Sequence, residues 1–368
     1  MSALETVVTP SKRSPWLASV EEWLWRKTSF RMVPDLVLPL APTGEPRQAG
    51  AGATRVGFAG FPSDYSLSML LALIDSGVEL AGIATSLGAN PVISGENALS
   101  QIADHMGVPL LRLARVNEYD SLAALRRLEA DLILVASFDQ ILREKALGLP
   151  RLGWVNVHPS LLPKYRGPEP VYWAIVNDEK ETGISFQRLQ RAIDAGPLLI
   201  QRSEPIHPDD DAGTLVRRLC QLGAAAMAEA VHLAEEGAAG TRLDLDRGSY
   251  YTSVGHRRID QAESAALAER LVRAGNPNMP ASTEWAGRLC YVLKVRLARS
   301  DDGSPGPRLH FADGDLILEE TMDRCGCHHG EPGGTCPTTA SRIGQPVAEI
   351  EGSGSYPIGA VRSPGQCR

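Results

Sequence analysis

Asn156 and His158 stand two residues apart in Val155-Asn156-Val157-His158-Pro159, so the two-residue period of a strand points an amide and an imidazole to one face. Pro159 ends such a strand and biases the residue before it toward extended geometry. His158 therefore takes the last strand position, where the sheet of an α/β protein opens into its ligand crevice. Asp194 is the distant carboxylate partner of the pair. A carboxylate near an imidazole fixes its tautomer or relays a proton, so these three residue types suit acid–base work. Behind them, Ser160-Leu161-Leu162-Pro163-Lys164-Tyr165-Arg166-Gly167 is a short turn and loop suited to serve as a lid.

A second group of chemically capable residues lies near the other end of the chain. Cys325, Cys327, His328, His329 and Cys336 bring five thiol or imidazole groups into twelve residues, a density that could bind zinc or copper. Cys-x-Cys is not the usual zinc-knuckle spacing, and the competing reading is a Gly/Pro-rich tail whose cysteines are incidental. Phe58-Ala59-Gly60-Phe61-Pro62 is not a GxGxxG fingerprint, and no GxxxxGK[ST] loop occurs. Neither a dinucleotide nor a nucleoside triphosphate is expected in a glycine cradle.

The elements around these residues alternate. Apolar runs at Arg55 to Gly60, Val78 to Ala84, Val108 to Leu111, Asp131 to Ala136 and Gly153 to His158 read as strands, separated by helical patterns at Ser66 to Ser76, Asn97 to Met106 and Ser121 to Leu128. That alternation predicts an α/β fold, a mostly parallel sheet with helices on both faces. Strands at Glu181 to Leu189 and Leu198 to Arg202 follow, then a long alanine-rich helix at Thr214 to Glu236. The expected organisation is an N-terminal helix and linker over 1–54, a catalytic domain over 55–208, a helix and linker over 209–277, a small β-rich domain over 278–324, and the Cys/His segment with a flexible tail over 325–368.

Of the 368 residues, 43% are hydrophobic and 22% charged, an ordinary balance for a globular chain, and the net charge is -7. An acidic balance disfavours a general nucleic-acid binder. No basic n-region precedes an apolar run and no stretch reaches membrane-spanning length, so a cytoplasmic protein without a membrane partner is expected. Six unevenly spaced cysteines fit a reducing compartment. Trp16 to Phe30 reads as an amphipathic helix carrying three tryptophans, which packs on the main domain or forms a surface for a homodimer or another partner.

Asn156-Val157-His158-Pro-Ser-Leu-Leu-Pro-Lys-Tyr-Arg-Gly, followed by Trp173-Ala174-Ile175, Glu181-Thr182-Gly183-Ile184 and Asp194-Ala195-Gly196, resembles the formyltransferases that use 10-formyltetrahydrofolate. Tyr250-Tyr251, Arg257-Arg258-Ile259-Asp260 and Arg273 to Ala281 resemble the linker and start of the OB-like C-terminal domain of its methionyl-tRNA and amino-sugar branches. The resemblance spans roughly Arg55 to Glu320. It implies 10-formyltetrahydrofolate as cosubstrate, with Asn156, His158 and Asp194 as the catalytic trio. Formyl transfer to an amine develops an oxyanion, which Asn156 can meet with an N–H, and releases a proton, which His158 can take. The resemblance also implies Phe138, Asp139, Gln140, Ile141 and Leu142, with Arg191, Ala192 and Ile193, as walls of the pterin pocket, read through backbone groups.

The acceptor follows from charge. Thr85 to Glu96, where methionyl-tRNA formyltransferases carry a basic loop, has no Lys or Arg, and Ala281 to Arg368 holds 11 acidic against 9 basic residues. The expected acceptor is therefore a small-molecule primary amine, an amino sugar or an amino-acid-like metabolite, in preference to tRNA. Methionyl-tRNA formylation, hydrolysis of 10-formyltetrahydrofolate, and a non-catalytic scaffold that captures a metal or a partner are the alternatives.

Overall fold

The computed structural model describes residues 54–87, 96–252, 254, 257–285, 288–299 and 307–322. The Trp-rich segment at Trp16 to Phe30, residues 88–95 of the loop without basic residues, and the Cys325 to Cys336 segment with the tail lie outside the described residues.

Five parallel strands, β1 (Arg55–Gly60), β2 (Glu79–Ser86), β3 (Leu110–Leu113), β4 (Leu132–Ala136) and β5 (Trp154–His158), are joined through α1 (Asp64–Asp75), α2 (Glu96–Met106), α3 (Tyr119–Arg127) and α4 (Glu144–Leu147). α5 (Pro170–Val176) then leads to β6 (Glu181–Arg188) and β7 (Leu198–Pro205), which extend the sheet antiparallel in the order β3-β2-β1-β4-β5-β6-β7. The mostly parallel α/β sheet is as expected. After α6 (Ala212–Glu235) and α7 (Ala265–Gly275), the strands β8 (Ala281–Trp285), β9 (Arg288–Leu297), β10 (Arg308–Phe311) and β11 (Gly314–Met322) form a separate antiparallel sheet.

Strand alternation decides which residues reach the site. Val155 and Val157 enter a core with Phe58, Leu134 and Phe186, closed by Met69 of α1 and Met227 of α6. Trp154 enters the core on the opposite face with Ile133, Leu142 and Ala146. Asn156 and His158 share the face of Trp154, because side chains two apart on a strand emerge together.

Two helices escape the sequence reading. α4 spans only four residues, too few for periodicity to register. α7 falls in the stretch read as linker, although Ser264 caps it by accepting from Leu267 N–H. Arg270 Nε of α7 donates to the Val176 carbonyl at 2.9 Å and Arg273 Nη1 to the Asp210 carbonyl at 2.7 Å. These bonds tie the approach to the second sheet against α5 and the start of α6.

Asp210 is the centre of that junction. Arg218 Nη1 and Nη2 donate to its two carboxylate oxygens at 2.6 and 2.7 Å, and Arg218 Nε donates to Glu204 at 2.6 Å. Burial alone would raise the Asp210 carboxyl, but the Arg218, His207 and Thr214 hydrogen bonds outweigh it and hold the group below its ordinary range. A depressed carboxyl stabilises the fold above its unfolded pKa of about 3.9, and this contribution is lost as the pH falls through the folded value. Arg218→Ala leaves a buried carboxylate unpaired and is expected to cost about 3 kcal/mol at neutral pH. Urea denaturation should show that deficit shrinking as the pH is taken below 4 or so; a deficit independent of pH would contradict the assignment.

Candidate active site

β5 and β6 carry three of the four side chains that meet at the site. Asn156 lies directly across the antiparallel pair from Gln187, and His158 across from Ser185. Asp194 arrives from the turn after β6 with φ of +47°, a left-handed conformation that Asp adopts more readily than most residues. Its Oδ1 accepts from Gln187 Nε2 at 2.8 Å and from Asn156 Nδ2 at 3.3 Å, and its Oδ2 accepts from Gly167 N–H at 2.9 Å. His158 Nδ1 stands 3.7 Å from the same Oδ1. The structure therefore brings Asn156, His158 and Asp194 together, with His158 5% and Asp194 8% exposed.

The other ring nitrogen is committed. His158 Nε2 lies 2.8 Å from the Tyr165 carbonyl oxygen, which can only accept, so Nε2 carries a proton. Nδ1 is left as the nitrogen whose protonation can change. Asp194 was expected to fix the tautomer or relay a proton; the Tyr165 carbonyl also holds the ring, through Nε2. One N–H of Asn156 is used on Asp194, and its second is free to meet an oxyanion.

Gln187 is the residue that sequence reasoning missed. A lone glutamine within Ile184-Ser185-Phe186-Gln187 carries no spacing signal. Only its register opposite Asn156 reveals it.

The segment expected as a lid is a strap pinned on both sides. Ser160, Leu162, Tyr165 and Gly167 are buried. Ser185 Oγ donates to the Ser160 carbonyl at 2.6 Å and accepts from Leu162 N–H at 3.2 Å. Tyr165 N–H donates to Ser249 Oγ at 2.8 Å, Arg166 N–H to the Ser249 carbonyl at 3.0 Å, and Tyr251 N–H to the Arg166 carbonyl at 3.0 Å. The Tyr165 ring stacks on Tyr251, centroids 5.3 Å apart, and Tyr251 stacks on Trp173 at 4.7 Å. Burial and the Glu179 carboxylate that its hydroxyl donates to push the Tyr165 phenol well above its ordinary range. Leu161, Pro163, Lys164, Tyr165 and Glu179 also border a cavity of about 310 Å³, which Asn156, His158 and Asp194 do not line. The strap separates that hollow from the polar cluster.

The expected pterin walls divide. Gln140 is spent inside the protein: Oε1 accepts from Val116 N–H at 2.6 Å, and Nε2 donates to Ser86 Oγ and the Leu113 carbonyl, both at 2.9 Å. The Ser86 hydroxyl also donates to Asp139, and Leu142 packs in the core with Trp154. The inward turn of Gln140 and Leu142 leaves Phe138 half-buried and Ile141, Arg191, Ala192 and Ile193 exposed. Arg191 Nη1 lies 3.7 Å from Glu144 Oε1, which makes the two walls neighbours. Among the described residues no group of His, Cys, Asp or Glu is placed to hold a metal ion, and no helix is long and apolar enough to cross a membrane.

The fold is that of an α/β enzyme, with an amide, an imidazole and a carboxylate gathered where β5 ends. Comparison with known proteins gives it a family. Residues 89–231 match the formyl transferase family model. The chain is 34% identical over 290 residues to methionyl-tRNA formyltransferase of Roseiflexus castenholzii, covering 74% of this chain and 92% of that one. It is 35% identical over 267 residues to that of Acidothermus cellulolyticus, covering 69% and 82%. The structure of WlaRD, a sugar 3N-formyl transferase in the presence of dTDP and 5-N-formyl-THF, covers 74% of this chain with 99% of its own, at 17% identity and a TM-score of 0.54; at that identity it shows the fold. The chain belongs to the formyltransferase family.

The expectation of a small or specialised-metabolite acceptor is overturned. Relatives 31 to 35% identical over most of the chain are methionyl-tRNA formyltransferases. Net charge and one loop were too coarse a criterion, because a nucleic-acid surface depends on where cations sit and not on their sum.

Gly167 tests the geometry. Its φ is +92° and an added Cβ would press on the Tyr251 carbonyl oxygen. Gly167→Ala is expected to destabilise the fold by about 1–3 kcal/mol in chemical denaturation and to lower kcat/KM by roughly tenfold or more by displacing the N–H that holds Asp194. Unchanged stability and kcat/KM would show that the strap tolerates another path.

Proposed function

We propose that this enzyme transfers the formyl group of 10-formyltetrahydrofolate to the amino group of methionyl-tRNA. The observation that carries the reading is the meeting of Asn156, His158 and Asp194 on one sheet face, in a chain whose relatives at this identity bear that activity. The amine nitrogen attacks the formyl carbon, the bond from that carbon to the folate nitrogen breaks, and the leaving nitrogen is protonated. The free N–H of Asn156 meets the charge developing on the formyl oxygen. His158 Nδ1 takes the amine proton and can return it to the leaving nitrogen. Asp194 faces the imidazolium that forms in between.

The residues present suit the cosubstrate. Ile141 and Ile193 are 63% and 40% exposed, and with Phe138 they offer apolar surface to a flat ring beside the polar cluster. Backbone groups of residues 138–142 and 191–193 are the proposed readers of the pterin edge, since the Gln140 side chain is already occupied. The strap from Ser160 to Gly167 is the proposed wall over the transfer point. The organisation into a catalytic unit, a connecting helix and a small β-rich unit belongs to the same proposal.

Incubation with 10-formyltetrahydrofolate and methionyl-tRNA, followed by mass spectrometry of the aminoacyl group, tests it. Formyl-methionine is expected with the wild type, reduced about a hundredfold or more in His158→Ala and Asn156→Ala. Cofactor turnover without formylated acceptor would instead indicate hydrolysis, and full activity of His158→Ala would remove His158 from the chemistry.

A further inference from the structure

We infer that Gln187 is a positioning residue for the transfer step, holding the Asp194 carboxylate at the one ring nitrogen of His158 that can exchange a proton. The inference rests on the reading of Asn156, His158 and Asp194 as the reacting groups. Gln187 is fully buried. Both ends of its amide are used within the site: Nε2 donates to Asp194 Oδ1 at 2.8 Å, and Oε1 accepts from Gly196 N–H at 3.2 Å. The second bond matters because Gly196 lies two residues beyond Asp194. Gln187 therefore grips the catalytic turn at its carboxylate and at its backbone.

The division of labour follows from donors and acceptors. The Tyr165 carbonyl occupies Nε2, so a proton taken up by His158 appears on Nδ1. At 3.7 Å, Asp194 Oδ1 is beyond hydrogen-bond range of neutral Nδ1, yet it is the carboxylate oxygen beside the imidazolium that a proton taken up there would form. That oxygen is held by Gln187 and Asn156 together. Of these two, Asn156 carries a second N–H that the proposed step uses on the formyl oxygen, whereas the other bond of Gln187 is accepted from Gly196 N–H within the protein. Gln187 can thus fix the carboxylate without competing for substrate.

Gln187→Met keeps the length of the side chain and removes the donor. It is expected to lower kcat for formyl transfer to methionyl-tRNA by about tenfold or more, with KM for 10-formyltetrahydrofolate unchanged. Gln187→Glu keeps the shape but sets a second carboxylate against Asp194, and should lower kcat further than Met does. The 15N resonances of His158 in histidine-labelled enzyme supply a readout that space-filling alone would not move: Nδ1 should shift in Gln187→Met while Nε2 stays bonded. Wild-type kcat in Gln187→Met, or a loss of kcat with the Nδ1 resonance unmoved, would overturn the inference. His158→Ala assayed in parallel separates the two readings: its retained activity would defeat the site as a whole, whereas an inactive His158→Ala beside a fully active Gln187→Met defeats the role of Gln187 alone.

Discussion

The hydrogen bond between His158 Nε2 and the carbonyl of Tyr165 is the contact on which the site depends. A carbonyl offers no proton, so this bond assigns the tautomer and turns Nδ1 toward Asp194. It also makes the imidazole answerable to a backbone atom seven residues downstream. That atom is where it is because the strap cannot drift: Ser185 holds its start, and Ser249 and Tyr251 hold its end. A histidine oriented by a side chain could be reset by one rotamer. One oriented by a pinned main chain moves only if the whole strap moves.

The change of direction in the sheet serves the same end. Five parallel strands deliver β5 with Asn156 and His158 on one face, and β6 then runs back beside it. An antiparallel neighbour sets side chains directly opposite one another, which places Gln187 across from Asn156. The turn that follows returns Asp194 to the same face. Asp194, Tyr165 and Glu169 all adopt positive φ, and such conformations persist where the surroundings over-determine them. Around Asp194 those surroundings are three N–H donors from three separate segments.

Segments beyond the first sheet take part as well. Ser249 and Tyr251 come from the stretch that leads toward the second sheet, yet they are the partners of Tyr165 and Arg166. Trp173 of α5 extends the aromatic stack, and Arg257 lies 5.5 Å from the centre of its ring. The path toward the β-rich sheet thus runs along the back of the strap that orients His158. Electrostatics at the level of the whole chain proved a poor guide to the acceptor, because a net charge of -7 averages over surfaces that face different partners.

Much of this was legible in the residues themselves. Alternating apolar runs specified the parallel strands, and the spacing of Asn156 and His158 before Pro159 specified a polar pair at a strand end, since strand period and proline geometry are local properties. The whole of Asn156 to Gly167 together with Asp194 was enough to suggest the chemistry. What only the tertiary structure decided is how those groups are wired. The Tyr165 carbonyl as the tautomer-setting acceptor, Gln187 as the partner of Asp194, the inward turn of Gln140 and the anchoring of the strap by Ser249 all join residues through long-range hydrogen bonds or strand register. Such pairings leave no periodic trace along a chain, because a backbone carbonyl has no sequence identity and a buried amide is defined only by what folds against it.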